Sequence, residues 1–228
     1  MCTLTRVRQW LSAWAIRAIQ LVGPRRVRVL GRTFRVNRHV FSPRPYLTSK
    51  FMARHLRFEP GDAVLDMGTG SGIQAIVAAA TAARVVAVDI NPEAVRLARE
   101  NARANGVADK VTVLEGDLFA PLAACGRDVT VPRLFDVILL NPPYLEGRVR
   151  SLLDHAMFDP GRRLHRRFFA EAGAFLAPGG CVLMVCSSLA EPGQALAIAD
   201  ELGWDASIVR RKRAWGETLF LYRLTPRP

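Results

Sequence analysis

The sequence predicts an α/β domain, a mostly parallel sheet with helices on both faces, behind a basic N-terminal extension made of a helix and a hairpin. Three observations carry the prediction. From Ala63 onward, short apolar runs alternate with helix-length runs, the pattern of parallel strands joined by crossover helices. A glycine-rich turn, Gly68-Thr69-Gly70-Ser71-Gly72, sits between the first of these runs and the helix after it. Finally, the charge is lopsided. Residues 1–60 hold twelve arginines and Lys50 against Glu59 alone, a surplus equal to the +12 of the whole chain, and the later bases and acids cancel.

The division follows: residues 1–58 as extension, residues 59–228 as domain. A chain of 228 residues, half of them hydrophobic, suffices for one core. In residues 7–22, Val7, Trp10, Leu11, Trp14, Ala18, Leu21 and Val22 recur at three- and four-residue steps, one stripe of an amphipathic helix, and Gly23-Pro24 stops it. Residues 27–40 alternate apolar with basic residues around Gly31, as a small hairpin does. Ser42-Pro43-Arg44-Pro45 leads into a helix over 48–56, closed by Pro60-Gly61-Asp62.

In the domain, Ala63–Asp66 is the first strand and residues 73–82 its helix. Residues 85–89 form the second strand. Asn91-Pro92-Glu93 then opens a helix with a capping Asn, Pro at the first helical position and an early acid, and Asn105-Gly106 ends it. Strands follow at 111–115 and 136–140. A helix over 166–176 is expected to stop at Pro178-Gly179-Gly180. After it come a strand over 181–186, a helix over 192–202 and a closing strand pair at 207–213 and 218–224.

Composition excludes several classes. The four cysteines form no CxxC and there is no histidine cluster, so no metal site is expected. Cys181 and Cys186 flank the apolar run 182–185 and read as buried free thiols in a reducing cytoplasm. No apolar stretch reaches the length of a membrane span, and the run from Trp10 to Ile16 is broken by Arg17. The basic first quarter of the chain suggests contact with a polyanion, RNA foremost.

In sheets of this kind a ligand binds beyond the carboxyl ends of the strands, where the strand order reverses. The first strand ends in Asp66, followed by glycines at alternate positions: Gly68, Gly70 and Gly72. Glycine permits the tight turn and a close approach to the ligand. Dinucleotide sites use G-x-G-x-x-G around a pyrophosphate. Here the run is G-x-G-x-G after an acid, and Ile73 stands near the third-glycine place. S-adenosyl-L-methionine has no phosphate, only a sulfonium, an amino group and a carboxylate, and Asp66 suits the amino end, with Thr69 in the same turn. Asp89, ending the second strand, can accept both ribose hydroxyls. Asp117, after the third, can accept from the adenine amino group, with Ile90 and Leu118 against the ring. Three acids, each just after one of three consecutive strands, make the pattern specific.

The fourth strand runs into Asn141-Pro142-Pro143-Tyr144. The prolines stiffen the backbone. An amide or aromatic amine nitrogen is a poor nucleophile because its lone pair is delocalised. The Asn141 side-chain oxygen and the Pro142 carbonyl can grip both N–H bonds, aim the lone pair at a methyl group and stabilise the positive charge that grows on nitrogen. Tyr144, Pro143 and Tyr46 are placed to pack on a flat substrate, and Asn141 also borders the methyl donor.

D-M-G-T-G-S-G, V-D-I-N-P-E-A, G-D-L-F and N-P-P-Y, in this order and spacing, resemble the class I methyltransferases of the HemK-like type. Residues 40–45 resemble the proline-rich segment that family carries ahead of its glycine loop. The resemblance spans about residues 40–190. It implies a Rossmann-like, seven-stranded sheet, S-adenosyl-L-methionine as cofactor, a release-factor glutamine amide as acceptor, and site roles for Asp66, Gly68, Gly70, Asp89, Asp117 and Asn141–Tyr144. The chain departs from the pattern after Pro45, where Tyr46-Leu47-Thr48 replaces an acid-rich continuation, and after Tyr144, in Asp154-His155 and residues 162–165. Nor can 40 residues hold the family's N-terminal helical substrate domain. N-P-P-Y also occurs in enzymes that methylate base amino groups, so the expected acceptors are a protein glutamine, an RNA base amine or a small amine. A dinucleotide-binding oxidoreductase is the reading from another class.

Overall fold

The computed structural model describes residues 23–41, 47–125, 131–143, 145–214 and 216–228. The expected helix over residues 7–22, and Tyr46 and Tyr144, lie outside the described residues.

Strands β1 (Arg26–Val29) and β2 (Arg32–Arg35) form the expected antiparallel ribbon. It turns at Leu30-Gly31, both with positive φ. Its alternation is amphipathic: Val27, Val29 and Phe34 are buried while Arg26, Arg28 and Arg35 are exposed. After α1 (Leu47–His55), the sheet begins with β3 (Ala63–Met67), α2 (Ile73–Ala78), β4 (Arg84–Asp89), α3 (Pro92–Ala104) and β5 (Val111–Glu115). It continues with α4 (Ala120–Ala124), β6 (Phe135–Leu140), α5 (Leu152–His155), α6 (Arg163–Ala172), β7 (Leu176–Ser187), α7 (Pro192–Glu201), β8 (Trp204–Ala214) and β9 (Glu217–Pro226).

The seven strands stand in the order β5-β4-β3-β6-β7-β9-β8, with β9 antiparallel to its neighbours. The chain walks outward from β3 through β4 to β5, then returns to the other side of β3 as β6. That reversal opens a cleft at the carboxyl ends of β3, β4 and β6. Successive residues of a strand face opposite ways, so the sheet feeds two cores. Val64, Ala87 and Leu139 join α1, α2, α3 and the ribbon on one face. Leu65, Val86 and Ile138 join Phe119, Phe168, Phe169 and Trp204 on the other. Phe34, Val36, Phe51 and Met52, all from before residue 58, belong to the first core together with the sheet.

Three expected boundaries move. The helix after β3 stops at Ala78 and gives way to turns through Ala82. The helix expected over 166–176 runs instead over Arg163–Ala172 and is followed by a 3₁₀ turn, Gly173–Phe175. It begins early because the Asp159 carboxylate accepts the N–H groups of Leu164 (2.8 Å) and His165 (3.2 Å), a cap donated from outside the helix. Pro178-Gly179-Gly180 interrupts β7 and does not precede it: Phe135 pairs with Leu176 and Val137 with Cys181, so the intervening residues bulge out. A Cβ on Gly180 would stand 2.9 Å from the Ala177 carbonyl oxygen and 3.0 Å from that of Phe135, which leaves room only for glycine.

Candidate active site

The turn after β3 is closed by backbone bonds. The N–H groups of Gly68 and Thr69 both donate to the Val88 carbonyl of β4, and Gly72 N–H donates to Thr69 O. Gly68, Gly70 and Gly72 take φ of +70°, +56° and +85°, a region other residues enter only with strain. Over Gly68 and Gly70 a Cβ would meet nothing within 4 Å, so the turn presents bare backbone to open space. At Gly72 it would lie 3.1 Å from Ala98 Cα of α3. Gly72→Ala is therefore expected to destabilise the fold by about 1–3 kcal/mol, read as a lower denaturant midpoint; an unchanged midpoint would show that α3 yields there.

Asp66 is buried beneath this turn. Its Oδ2 accepts from the Thr69 hydroxyl (2.6 Å) and the Ala75 N–H (3.0 Å). Burial pushes its pKa up to about 6, against those two hydrogen bonds, and the nearby Asp89 carboxylate adds to the rise. A ligand ammonium would favour the charged form. Because the pKa of the ligand-free protein is raised, the carboxyl is mostly neutral below about pH 6, and binding such a ligand there must first expel its proton, which weakens it progressively. Adenosylhomocysteine, which has the amino group, is thus expected to lose more affinity than adenosine as pH falls through about 6. Asp66→Asn should remove that excess. Equal pH slopes for the two ligands in titration calorimetry would take Asp66 out of contact with the amino end.

Asp89, at the end of β4, holds the turn from the other side. Its Oδ2 accepts Gly70 N–H at 2.8 Å and its Oδ1 accepts Asn91 N–H at 2.9 Å. Burial raises its pKa, while the bonds from Asn91 and Gly70 and the neighbouring His155 work against the rise. Ile90 is exposed and Leu118 buried, and both line the cleft. Leu118 takes φ +48°, a strained conformation of the kind that collects at binding sites. Asp117 also lines the cleft, but its carboxylate is exposed and paired with Arg167 at 2.9 Å, so an adenine amino group would share it with that guanidinium.

Asn141, Pro142 and Pro143 border the same cleft. Asn141 Nδ2 donates to the Ser49 hydroxyl of α1 at 3.1 Å, and Gln74 Nε2 of α2 donates to the Ser49 carbonyl at 2.9 Å. Gln74 Oε1 is buried with no hydrogen-bond partner among the described residues. The cleft thus gathers every expected site residue within the described chain except Gly72, which lies just behind it against α3. A buried carboxylate with no cation beside it among the described residues, bare glycine backbone and a carboxylate at the end of β4 fit S-adenosyl-L-methionine.

The sequence reading missed several residues of this site. Asn101 of α3, fully buried, accepts Arg35 N–H and donates to the carbonyls of Arg35 and Ser71, tying ribbon to glycine turn. Ser49, Gln74 and His39 line the cleft. A polar pair, Thr48-Ser49, on the buried side of a helix whose other buried residues are Phe51, Met52 and Ala53 was the available signal. The stretch after Asn141-Pro142-Pro143 becomes a wall. Leu145 pairs with Phe158 and exchanges backbone bonds with Met157 and Asp159, so the chain between folds back, and Leu152, His155 and Ala156 face the cleft. Asp154 and His165, unassigned from sequence, are structural. Asp154 accepts Arg150 N–H at 2.9 Å. The buried His165 ring meets the Asp159 carboxylate at 2.6 Å. Burial would raise Asp159, but the hydrogen bonds from His165 and Leu164 hold it below the usual carboxylate range.

Comparison with known proteins agrees with this geometry. The family described as methyltransferase small domain matches residues 31–203. A relative from Methanocaldococcus jannaschii, named as a protein N5-glutamine methyltransferase, is 37% identical over 166 residues, which is 69% of this chain and 78% of the relative. A release factor glutamine methyltransferase of Cereibacter sphaeroides is 35% identical over 178 residues, and this chain spans 59% of its length. Among solved structures, the tRNA m1G37 methyltransferase of M. jannaschii aligns with TM-score 0.59 at 18% identity, covering 89% of this chain and 56% of that one, a likeness of fold alone.

Proposed function

Because this chain belongs to the methyltransferase small domain family, we propose that it transfers the methyl group of S-adenosyl-L-methionine to the side-chain amide nitrogen of a protein glutamine, a release factor being the first acceptor to test. The observation that carries the proposal is the cleft itself. The Asn141-Pro142-Pro143 loop at the end of β6 opens onto the space framed by Asp66, the glycine turn and Asp89. The cofactor supplies a methyl group on a sulfonium, which needs no leaving-group protonation. Asp66 holds the amino end and Asp89 the ribose. Asn141 Oδ1 and the Pro142 carbonyl accept the two N–H bonds of the acceptor amide, turning its lone pair out of conjugation and stabilising the charge gained in the transfer. The methylated nitrogen is acidic enough to lose its proton to water, so no buried base is required. The 35–37% identical relatives named for glutamine methylation support an amide acceptor. The test is incubation of the chain with deuterium-labelled methyl donor and a release factor, followed by peptide mass spectrometry. A single labelled methyl on a glutamine is expected; label confined to an RNA fraction would overturn the protein acceptor.

The polyanion contact is a separate part of the reading, centred on residues 1–60. It is favoured by the ribbon, whose Arg26 and Arg28 are exposed beside buried valines. In Arg26→Glu with Arg28→Glu, binding to single-stranded RNA is expected to weaken and its salt dependence to flatten by about two charges' worth. Unaltered binding would return these charges to a solvated face. No helix among the described residues is long and apolar enough to cross a membrane. The proposed setting is the cytoplasm, where the free thiols of Cys181 and Cys186 stay reduced.

A further inference from the structure

We infer that Ser49 is a positioning residue for the transfer: its hydroxyl holds the Asn141 amide by the NH2 end, so that Oδ1 is left to the acceptor nitrogen. This rests on the amide-methylating reading of the cleft. An asparagine side chain can present either an oxygen or an NH2, and only the oxygen can grip an acceptor N–H. Turned the other way, the Asn141 NH2 would oppose the acceptor's own N–H and offer it nothing. In the structure Asn141 Nδ2 donates to Ser49 Oγ at 3.1 Å. This anchors the NH2 end on α1 and commits Oδ1 to the other side.

Ser49 is held in turn. It is 7% exposed, and its carbonyl accepts Gln74 Nε2 at 2.9 Å. Gln74 occupies the first turn of α2, beside Ala75, whose N–H donates to Asp66. One connected set of bonds thus runs from the carboxylate assigned to the donor's amino end, through α2 and Ser49, to the amide assigned to the acceptor. Such an arrangement sets donor and acceptor halves at a fixed separation before either ligand arrives, which is where a transfer enzyme gains most. The chain carries Ser49 on α1, directly after Tyr46-Leu47-Thr48, where it departs from the HemK-like pattern.

The test uses the full chain with Ser49→Ala, Ser49→Thr, Asn141→Ala and the Ser49→Ala/Asn141→Ala pair. Three readouts are taken: kcat on a release factor, the adenosylhomocysteine Kd, and the side-chain NH2 resonances of Asn141, identified by their loss in Asn141→Ala. In Ser49→Ala, kcat should fall by ~10-fold, one hydrogen bond's worth. The Kd should stay within about twofold, the Asn141 NH2 signals should move and exchange faster with water, and Ser49→Thr, which keeps the hydroxyl, should restore kcat. Added to Asn141→Ala, the serine change should cost nothing more. Unmoved Asn141 signals, or an equal loss of kcat in both backgrounds, would overturn the inference. Should the wild-type chain leave the release factor unmethylated, the protein-acceptor reading fails, while the resonance and affinity measurements still judge Ser49.

Discussion

In Asn141→Ala, turnover is expected to fall by ~10²-fold or more, while adenosylhomocysteine binds with nearly unchanged affinity. The size follows from the role proposed for the side chain. The acceptor nitrogen starts almost neutral and ends carrying positive charge, so an oxygen fixed against it stabilises the transition state more than the bound substrate. Losing it lowers kcat and leaves the KM of the acceptor comparatively untouched. The affinity stays because the donor's charged and hydroxyl groups are assigned to Asp66, in β3 beside β6, and to Asp89, in β4 one strand further. Asn141→Asp gives a further contrast. It keeps an oxygen but gives up the NH2 that donates to Ser49, and it places a fourth carboxylate in a cleft that already contains Asp66, Asp89 and Asp117. Stopped-flow or single-turnover measurement with labelled donor separates the steps. Turnover equal to wild type in Asn141→Ala would remove the amide grip from the mechanism.

Asp89→Ala is expected to weaken adenosylhomocysteine and adenosine alike, by ~10²-fold. Two hydroxyls donating to one carboxylate are charge-assisted bonds worth about 1.5 kcal/mol each at the low end, or about 3 kcal/mol together. Asp89 also receives Gly70 N–H and Asn91 N–H, so its loss loosens the glycine turn and the start of α3. Asp89→Asn keeps an acceptor for one of those two donors and sets an NH2 against the other, so it should recover only part of the affinity. The parallel loss for adenosine is the discriminating result. It assigns Asp89 to the nucleoside, whereas substitution of Asp66 should spare adenosine. Calorimetry showing one Kd for wild type and Asp89→Ala would move the ribose elsewhere.

The central strands β3, β4 and β6 were legible because each carries an apolar run whose two faces are both covered. Residues such as Val64 and Leu65 read as strand whichever way they point, and end in different cores. The cap at Asn91 was legible because it is local: Asn91 Oδ1 accepts the N–H of Glu93, two residues on. The start of α6 was not, because its cap is Asp159, which reaches it only after the chain has folded back on Leu145. The same distinction separates the site residues. Asp66, Asp89 and Asn141 sit at strand ends, and topology alone sends strand ends in a parallel sheet to one edge. Ser49 and Asn101 act across 92 and 66 residues of sequence, and no short-range pattern records such a partner.

From residues alone came the alternation that makes the sheet, the acids at its strand ends, the glycine turn and the Asn141-Pro142-Pro143 loop, since each depends on spacing within a few residues. Folding in three dimensions added the ribbon and α1 as parts of the core, the wall built from residues 145–164, the pairing of Asp117 with Arg167, and the anchoring of Asn141 by Ser49. Spacing is a property of the chain, but the direction in which a side chain's donor and acceptor point is set by the partner that meets it, and those partners come from distant segments.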